Sequence, residues 1–483
     1  MRATRRALLP TLATLVGLLG LLGPASAFAF AGADEIGDLP AGATISADHT
    51  LRLDLDAAIK LALRRSPLLP AAAAGVDGVR AKLAEAKAAM LPSFEATGFF
   101  SVMPTKRAGT SGADWINDWD WSELRPLATV QLTFTQVLTT FGKLTVLEQM
   151  AHVGLRIAEA LREVAIGELR YQLAQAWWGL VMAADLDDLA RQGRSKMEAE
   201  RERLETMRDD GEEGYDPADM VRLLELEAEF EEKVRAAERA RDLAQDALRL
   251  SLALPPHWQI EPDRRVLEAI EYTLLPITAY ESLAVANHPR ELSRRGGVQV
   301  KWEALRYERF KLLPDLVITG RLATTYAPGL QQTNDSLADN PTNPTQSGAG
   351  VALRWRLDVF RQFAKIDQAE AAYRYSREQA KIEMQKTRAA IRNLWREVRD
   401  RQAVLALQAK AMRATRGQLA QAADLADKGL GSRAAAQRAL ERYVRRHIAY
   451  AEHVYRYNVG IAELSRAVGT DVRAMQPAPA KAP

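Results

Sequence analysis

The sequence predicts a mostly α-helical fold with a small β part, in which long antiparallel helical hairpins and four strands form two similar halves. Long proline-free runs carry apolar stripes at steps of three and four, short segments of alternating polarity precede them, and motifs repeat at a fixed offset. One such run extends from Leu144 to Asp210. As a single helix it would be about 100 Å long, which is far beyond the helices of ordinary globular domains.

The internal repeat is visible in matched residues of the two halves. Pairs at an offset of 222 are Ser66 and His288, Leu91 and Leu313, and Thr97 and Thr319, and pairs at 217 are Trp178 and Trp395, and Gly214 and Gly431. A fixed self-similarity of this kind indicates a duplicated structural unit. Each half is predicted as helix, strand, strand, long helix, turn, helix.

The predicted organisation begins with a secretory signal peptide at residues 1–27, because basic residues precede an apolar run that ends at Ala25-Ser26-Ala27. The remaining ranges are an N-terminal arm at 28–52, a first repeat at 53–256, a linker at 257–276, a second repeat at 277–470 and a disordered tail at 471–483. No later segment has the length of apolar sequence that a membrane-spanning helix requires.

Helix start and stop signals set the boundaries within the repeats. Asp54 is placed to cap a helix that breaks at Ser66-Pro67 and ends before Pro92. After a turn at 211–214, Asp216 is placed to cap a return helix with Pro217 at its first position, ending near Leu254.

The strands show a period of two. In the second half, Leu316, Ile318, Leu322 and Tyr326 alternate with Val317, Thr319, Arg321 and Thr325, and Val351, Leu353, Trp355 and Leu357 alternate with Ala352, Arg354, Arg356 and Asp358. First-half strands are predicted at 93–103 and from 129, around a polar loop containing Trp115, Trp119 and Trp121. Strands of about ten residues with one apolar and one polar face suit a membrane barrel, and an edge of a soluble sheet is the alternative.

The strand count limits the membrane interpretation. Four strands cannot close a membrane barrel, for which about eight is the minimum, and open sheet edges are not tolerated in lipid. Several copies of the chain would have to contribute to one barrel.

Composition excludes other classes of function. Basic and acidic residues number 65 and 62, with no cysteine, which argues against nucleic-acid binding, disulfides and a lipid anchor on cysteine. The 6 histidines lack a metal-binding spacing, and neither a catalytic constellation nor a phosphate loop stands out. We therefore expect neither an enzyme, nor a metal site, nor a cofactor.

Local motifs resemble one family in their order and duplication. The segment from Val137 to Lys143 is similar to its strand-to-helix junction, 428–432 to its hairpin-tip turn, and 457–469 to its closing helix. On these grounds the chain resembles the TolC-type outer-membrane efflux proteins, also called outer-membrane factors.

The resemblance implies a homotrimer in the outer membrane of a Gram-negative bacterium. Each chain would give four strands to a twelve-stranded β-barrel, and the long helices would form an α-barrel in the periplasm. Such a duct would export substrates passively for an efflux or type I secretion system, after docking with a periplasmic adaptor and an inner-membrane transporter. The adaptor would meet the hairpin tips, which are Gly211, Glu212, Glu213 and Gly214 in the first half and Gly429, Leu430 and Gly431 in the second.

The sequence departs from the family at its periplasmic entrance. Acidic residues narrow the entrance in family members, whereas Ala435 and Arg438 stand at the matching positions here. The first tip is also more acidic than usual. How this entrance would close is therefore open.

Arg321, Arg354 and Arg356 are the candidate lumen residues. If they point inward, a trimer would place nine arginines in the barrel and favour anions. Alternatively they pair with acids such as Asp358 and hold the wall together. At the level of the whole protein, the alternatives to a duct are a periplasmic coiled-coil structural or adaptor protein without a pore, and an outer-membrane enzyme.

Overall fold

The computed structural model describes residues 39–46, 49–106, 119–211, 215–327, 345–428, 430 and 433–475. Their helices are α1 (Leu55–Arg65), α2 (Leu68–Ala88), α3 (Lys143–Asp209), α4 (Pro217–Leu252), α5 (Ile277–Asn287), α6 (Pro289–Phe310), α7 (Val359–Asp427) and α8 (Arg433–Val468), with a 3-10 helix at Val472–Met475. Their strands are β1 (Ala43–Ser46), β2 (Thr50–Leu53), β3 (Ser93–Lys106), β4 (Trp119–Thr139), β5 (Gln259–Pro262), β6 (Asp315–Tyr326) and β7 (Thr345–Arg354). The prediction of a mostly helical fold with a small β part is confirmed.

The chain divides into two compact units. The first comprises Met1–Ser66 and Gly179–Val266, and the second comprises Pro67–Trp178 and Leu267–Pro483. The 67-residue helix α3 therefore contributes to both units, and the 69-residue helix α7 lies in the second.

The first unit contains a three-stranded sheet and a helical hairpin. Strand β2 pairs antiparallel with β1 and parallel with β5, although some 200 residues separate β2 from β5 along the chain. The carboxylate of Asp54 accepts a hydrogen bond from the Ala57 amide at 2.6 Å and caps α1, as predicted. Asp216 caps α4 through the Ala218 amide at 2.9 Å, with Pro217 at the first helical position.

The second unit contains a four-stranded antiparallel sheet in the order β3-β4-β6-β7 and the hairpin of α7 and α8. His288 is the repeat partner of Ser66, and the helix breaks at His288-Pro289 as it is predicted to break at Ser66-Pro67. Helix α5 ends at Asn287, and His288 Nδ1 accepts a hydrogen bond from the Arg290 amide at 2.9 Å. Because burial disfavours its charged form, the pKa of His288 lies below its ordinary value, which keeps this nitrogen free to accept.

Several sequence-based boundaries differ from the structure. Trp119 and Trp121, predicted in a loop, belong to β4, while Trp115 lies outside the described residues. Strand β5 lies within the predicted linker. The predicted disordered tail begins with an ordered 3-10 helix, because Val472 is fully buried and its amide donates to Ser465 Oγ at 3.2 Å. The predicted signal peptide lies outside the described residues.

Candidate functional site

One face of the four-stranded sheet is apolar and exposed. Residues directly opposite each other in register share a face, and alternate residues of a strand point to opposite faces. The register joins Phe94 to Phe134 and Phe134 to Gly320. The exposed large apolar residues on this face are Phe94, Phe100, Val102, Leu124, Val130, Leu132, Leu322, Tyr326, Val351 and Leu353. Phe100 is 79% exposed and Val351 is 66% exposed, so the described residues do not cover this surface.

The opposite face of the sheet is mostly polar. Its polar members are Ser93, Glu95, Thr97, Ser101, Arg125, Thr129, Gln131, Thr133, Thr135, Asp315, Thr319, Arg321, Thr325, Gln346 and Arg354. Phe99, which is 57% exposed, lies on the same face. The hydroxyls of Thr129 and Thr325 lie 3.2 Å apart across β4 and β6. A sheet with one polar and one exposed apolar face can separate water from lipid.

Two of the three candidate arginines lie on the polar face. Arg321 is opposite Gly348 in β7, and Arg354, the last residue of β7, is opposite Asp315. The expectation that the strand continues to Leu357 is wrong, because β7 ends at Arg354 and Arg356 lies in the connection to α7. Arg356 is exposed but does not belong to either sheet face.

The candidate arginines have no carboxylate partner among the described residues. Asp358, the predicted partner, instead lies 3.8 Å from Arg361, and Asp315 lies 2.7 Å from Lys143. Beside Arg321, where Gly348 and Gly350 lack side chains, a shallow cavity of about 360 Å³ opens on the polar face. Glu95 follows two strands away in the row Glu95, Thr133, Arg321.

A lysine fixes the junction between the sheet and the long helices. Lys143 Nζ donates to the Leu313 carbonyl and to Asp315 Oδ1, both at 2.7 Å. Gly142 adopts φ +104°, and its α-carbon faces the ring of Phe310, so a side chain there would be both strained and crowded. The sequence marked this junction as a motif, but it gave no signal for the pairing of Lys143 with Asp315, 172 residues away.

The first hairpin tip is described only in part. Gly211 has φ +65° and follows the last turn of α3, whereas Glu212, Glu213 and Gly214 lie outside the described residues. Below the tip, Arg194 Nε and Nη2 donate to the two carboxylate oxygens of Glu231 at 2.6 and 2.9 Å. This paired hydrogen bond from Arg194 holds the pKa of Glu231 below its ordinary value.

The second hairpin tip exposes an apolar residue. Leu430 is 77% exposed, and its amide donates to the Leu425 carbonyl at 2.9 Å, while Gly429 and Gly431 lie outside the described residues. Ala435 is half-buried near the start of α8, and Arg438 is exposed one turn further on. Both of these predicted entrance residues therefore lie on one helix.

The described residues contain neither a metal cluster nor a membrane-spanning helix. The described ranges hold no group of three or more His, Asp or Glu side chains placed to bind a metal ion. Among the helices that the structure describes, none has an apolar stretch long enough to cross a membrane.

Solved structures of outer-membrane channels have the same architecture. The CmeC channel of Campylobacter jejuni matches with TM-score 0.70 and 14% identity over 86% of each chain. The outer-membrane protein VceC of Vibrio cholerae matches with TM-score 0.66 and 18% identity over 86% of this chain and 96% of that chain. This chain has the fold of the outer-membrane channels. The expected fold of a single chain, mostly α-helical with some strands, is thereby confirmed.

A third structure, the open state of the MtrE outer-membrane channel of Neisseria gonorrhoeae, has TM-score 0.63 and 16% identity over 86% of this chain and 89% of that chain. No protein-family model and no curated protein matches the sequence. Sequence identities this low support the common fold alone and assign no role to individual residues.

Proposed function

We propose that the chain is an outer-membrane export duct, formed by three copies that each give four strands to a twelve-stranded barrel. The observation that carries this proposal is the sheet with one exposed apolar face and one polar face. Strands β3 and β7 are its edges, and unpaired edges are not tolerated in lipid. Closure between copies pairs those edges, and twelve strands fall within the range known for membrane barrels.

The hairpins extend the duct on the periplasmic side of the outer membrane of a Gram-negative bacterium. The 69 residues of α7 span about 100 Å as a straight helix. The tips of the hairpins meet a periplasmic adaptor, which connects the duct to an inner-membrane transporter that supplies the energy. The duct itself conducts passively, and catalysis is not part of its role.

A pair of neighbouring substitutions tests the lipid-facing assignment. Val351→Lys puts a charge on the exposed apolar face, whereas Gly350→Lys puts the same charge on the polar face, where a new side chain meets no atom within 4 Å. A lysine facing mid-bilayer lipid costs about 2–4 kcal/mol. We expect Val351→Lys to reduce the trimer recovered from outer membranes in mild detergent, measured by native mass, and Gly350→Lys to leave it unchanged.

Two results would contradict the proposed duct. Equal tolerance of both lysines would contradict the lipid-facing assignment. A wild-type chain recovered as a soluble periplasmic monomer or dimer would remove the barrel and leave a coiled-coil structural protein.

The same channel offers a test of the arginines. Arg321 and Arg354 share the polar face and lack carboxylate partners in the described residues, so we expect them to favour anions in the lumen. Replacing both with alanine should lower the anion-to-cation permeability ratio in planar bilayers. Arg356→Ala, outside the strand, should change this ratio less. An unchanged ratio in the double variant would exclude a role of these side chains in selectivity.

A further inference from the structure

The two helical hairpins carry opposite net charge. Residues 190–240, around the first turn, include 16 acidic and 10 basic residues, whereas residues 405–455, around the second turn, include 4 acidic and 9 basic residues. Both windows contain the same number of residues. The contrast therefore reflects the composition of each hairpin and not its length.

Part of the acidic excess forms a stripe on α3. Glu198, Glu202 and Glu205 follow one another at steps of four and three, which places them along one side of the helix. Met197 and Leu204, next to two of them in sequence, are buried on a different side of α3. All three glutamates are exposed, and in the described part of the chain none has an ion-pair partner.

Part of the basic excess forms a stripe with the same spacing on α8. Arg438, Arg442 and Arg445 are exposed, while Val444 and Ala451 are buried on the far side of the helix. Arg445 also lies 3.0 Å from Glu441 of the same helix, and Arg442 Nε donates to the Arg438 carbonyl at 3.2 Å. No carboxylate lies within ion-pair distance of Arg438 among the described residues.

We propose that the glutamate stripe of one copy, Glu198, Glu202 and Glu205, docks on the arginine stripe of a second copy, Arg438, Arg442 and Arg445. This inference rests on the proposed assembly of three copies. Each stripe is about 10 Å long, because seven residues of helix rise by that amount, so the two match in length as well as in charge. Arg201 on α3 attracts Glu198 and Glu205, and Glu441 pairs with Arg445, so the repulsion within each stripe is offset only in part inside one chain. An opposite stripe on a second copy offsets the rest.

The kind of symmetry follows from the two patches being different. A patch that binds a different patch of the next copy makes a head-to-tail interface, which closes into a ring when the rotation allows it. A two-fold dimer would instead require a self-complementary patch. A ring of three copies requires a head-to-tail interface, and the proposed charge pairing has that form.

Charge reversal tests the pairing. One variant carries Glu198→Lys, Glu202→Lys and Glu205→Lys, a second carries Arg438→Glu, Arg442→Glu and Arg445→Glu, and a third carries all six changes. Each reversal alone should raise the concentration at which the detergent-solubilised trimer dissociates by about tenfold, and the sixfold variant should restore it. The wild-type trimer should also weaken when the salt concentration is raised from about 50 mM to about 500 mM.

A matched control changes the same charge in the same hairpin on another helix. Lys410, Arg413 and Arg416 of α7 are exposed, and reversing them to glutamate alters the net charge by the same amount as the α8 reversal. The lysine-substituted α3 stripe should not rescue this control variant. If the lysine-substituted α3 stripe rescued both the α8 reversal and the α7 reversal, the electrostatic attraction would be general. That result would overturn the specific pairing.

Mixing separates pairing between copies from pairing within one chain. Copies with only the glutamates reversed and copies with only the arginines reversed should recover assembly in part when mixed. A mixed ring of three has two complementary interfaces and one repulsive interface, whereas a ring of either variant alone has three repulsive interfaces. Restoration in the sixfold variant without recovery on mixing would overturn pairing between copies. Pairing between copies would also be overturned if either reversal alone left the mass of the assembly unchanged and abolished binding of a basic adaptor. A wild-type chain that does not form trimers would instead refute the proposed duct.

Discussion

The two hairpins have the same helix–turn–helix plan but are held together by different contacts. In the first, Arg194 and Arg201 of α3 form ion pairs with Glu231 and Glu227 of α4. In the second, Arg401 donates to the backbone carbonyl of Arg456 at 2.5 Å, and Arg446 donates to the side chain of Gln408 at 2.9 Å. The first hairpin thus depends on ionised carboxylates, whereas these contacts in the second use acceptors that do not titrate.

The bases of the hairpins differ as well. After α4 the chain enters strand β5, and its backbone pairs with β2. Before α5, residues 267–276 have no regular secondary structure, and side chains of α5, α7 and α8 bind their backbone instead. The contacts are from Asn458 to Glu268 and Ile270, from Gln402 to Tyr272, and from Trp395 and Tyr280 to Leu275. A segment held by side chains is more sensitive to single substitutions than one held by a sheet.

The largest effect is expected for Asn458→Ala. Asn458 is fully buried; its side-chain oxygen accepts from the Ile270 amide at 2.9 Å, and its nitrogen donates to the Glu268 carbonyl at 2.8 Å. Alanine leaves two backbone groups without partners, at about 1–3 kcal/mol each. Hydrogen exchange of residues 267–276 should accelerate accordingly.

The counterpart at the base of the first hairpin is Gln245→Ala. Gln245 makes one contact there, 3.3 Å long, to the Ile260 carbonyl in a strand that the sheet already holds. We expect hydrogen exchange in β5 to change little. Similar acceleration in both variants would contradict the distinction between the two bases.

The next effect concerns how closely the helices of the first hairpin approach. A β-carbon added at Gly193 would overlap the ring of Phe230 on α4, whereas one added at Gly417 on α7 meets no atom within 4 Å. Gly193→Ala should therefore destabilise the hairpin by about 1–3 kcal/mol through overpacking. Gly417→Ala should stabilise its helix by up to about 1 kcal/mol. Local exchange rates in each hairpin give both numbers, and equal effects would exclude a close approach at Gly193.

The sequence predicts the helices and their caps well because the determinants are local. Asp54, Asp216 and Pro217 act within a few residues of the helix ends that they define. The alternation of strand residues also revealed both faces of the sheet. The ends of the strands were less predictable, because backbone pairing and not the polarity of the side chains determines them. Strand β4 begins at Trp119, and β7 ends at Arg354.

Contacts between residues far apart in the sequence could not be predicted. The strands β1, β2 and β5 have four residues each, and β2 joins β5 only through the tertiary fold. Asn458 resembles any polar residue on a helix until the segment at 267–276 is placed against it. The alternation correctly placed Arg321 and Arg354 on one face of the sheet. Their lack of carboxylate partners among the described residues could not be predicted, because it depends on the pairing of Asp315 with Lys143 and of Asp358 with Arg361.

A smaller effect should distinguish the hairpins by pH. Because Arg194 lowers the pKa of Glu231, its stabilising contribution is present above the ordinary glutamate pKa and is lost as the pH falls through the lowered value. Both side chains are more than one-third exposed, so the contribution is at most about 1 kcal/mol. Protection of the amides in α3 and α4, taken relative to the intrinsic exchange rate at each pH, should fall below about pH 4.5.

Two variants check the origin of that pH dependence. Glu231→Gln should reduce this loss of protection, because the amide cannot titrate. Arg446→Gln in the second hairpin replaces a contact to the neutral Gln408 and should not alter the response to pH in α7 and α8. Loss of the pH response in the first hairpin from the Arg446 change would refute the assignment to Glu231.

The smallest effect is expected for Gly460→Ala on α8. A β-carbon there would lie 2.9 Å from Arg401 Nη1 and 3.4 Å from Val398 Cγ2. The guanidinium is the end of a flexible side chain and can move, at the expense of its hydrogen bond to the Arg456 carbonyl. That loss, about 1 kcal/mol, is offset by the better helix propensity of alanine. Exchange in α8 should therefore stay close to wild type, and a cost as large as that of Gly193→Ala would mean that both hairpins rely on rigid close packing.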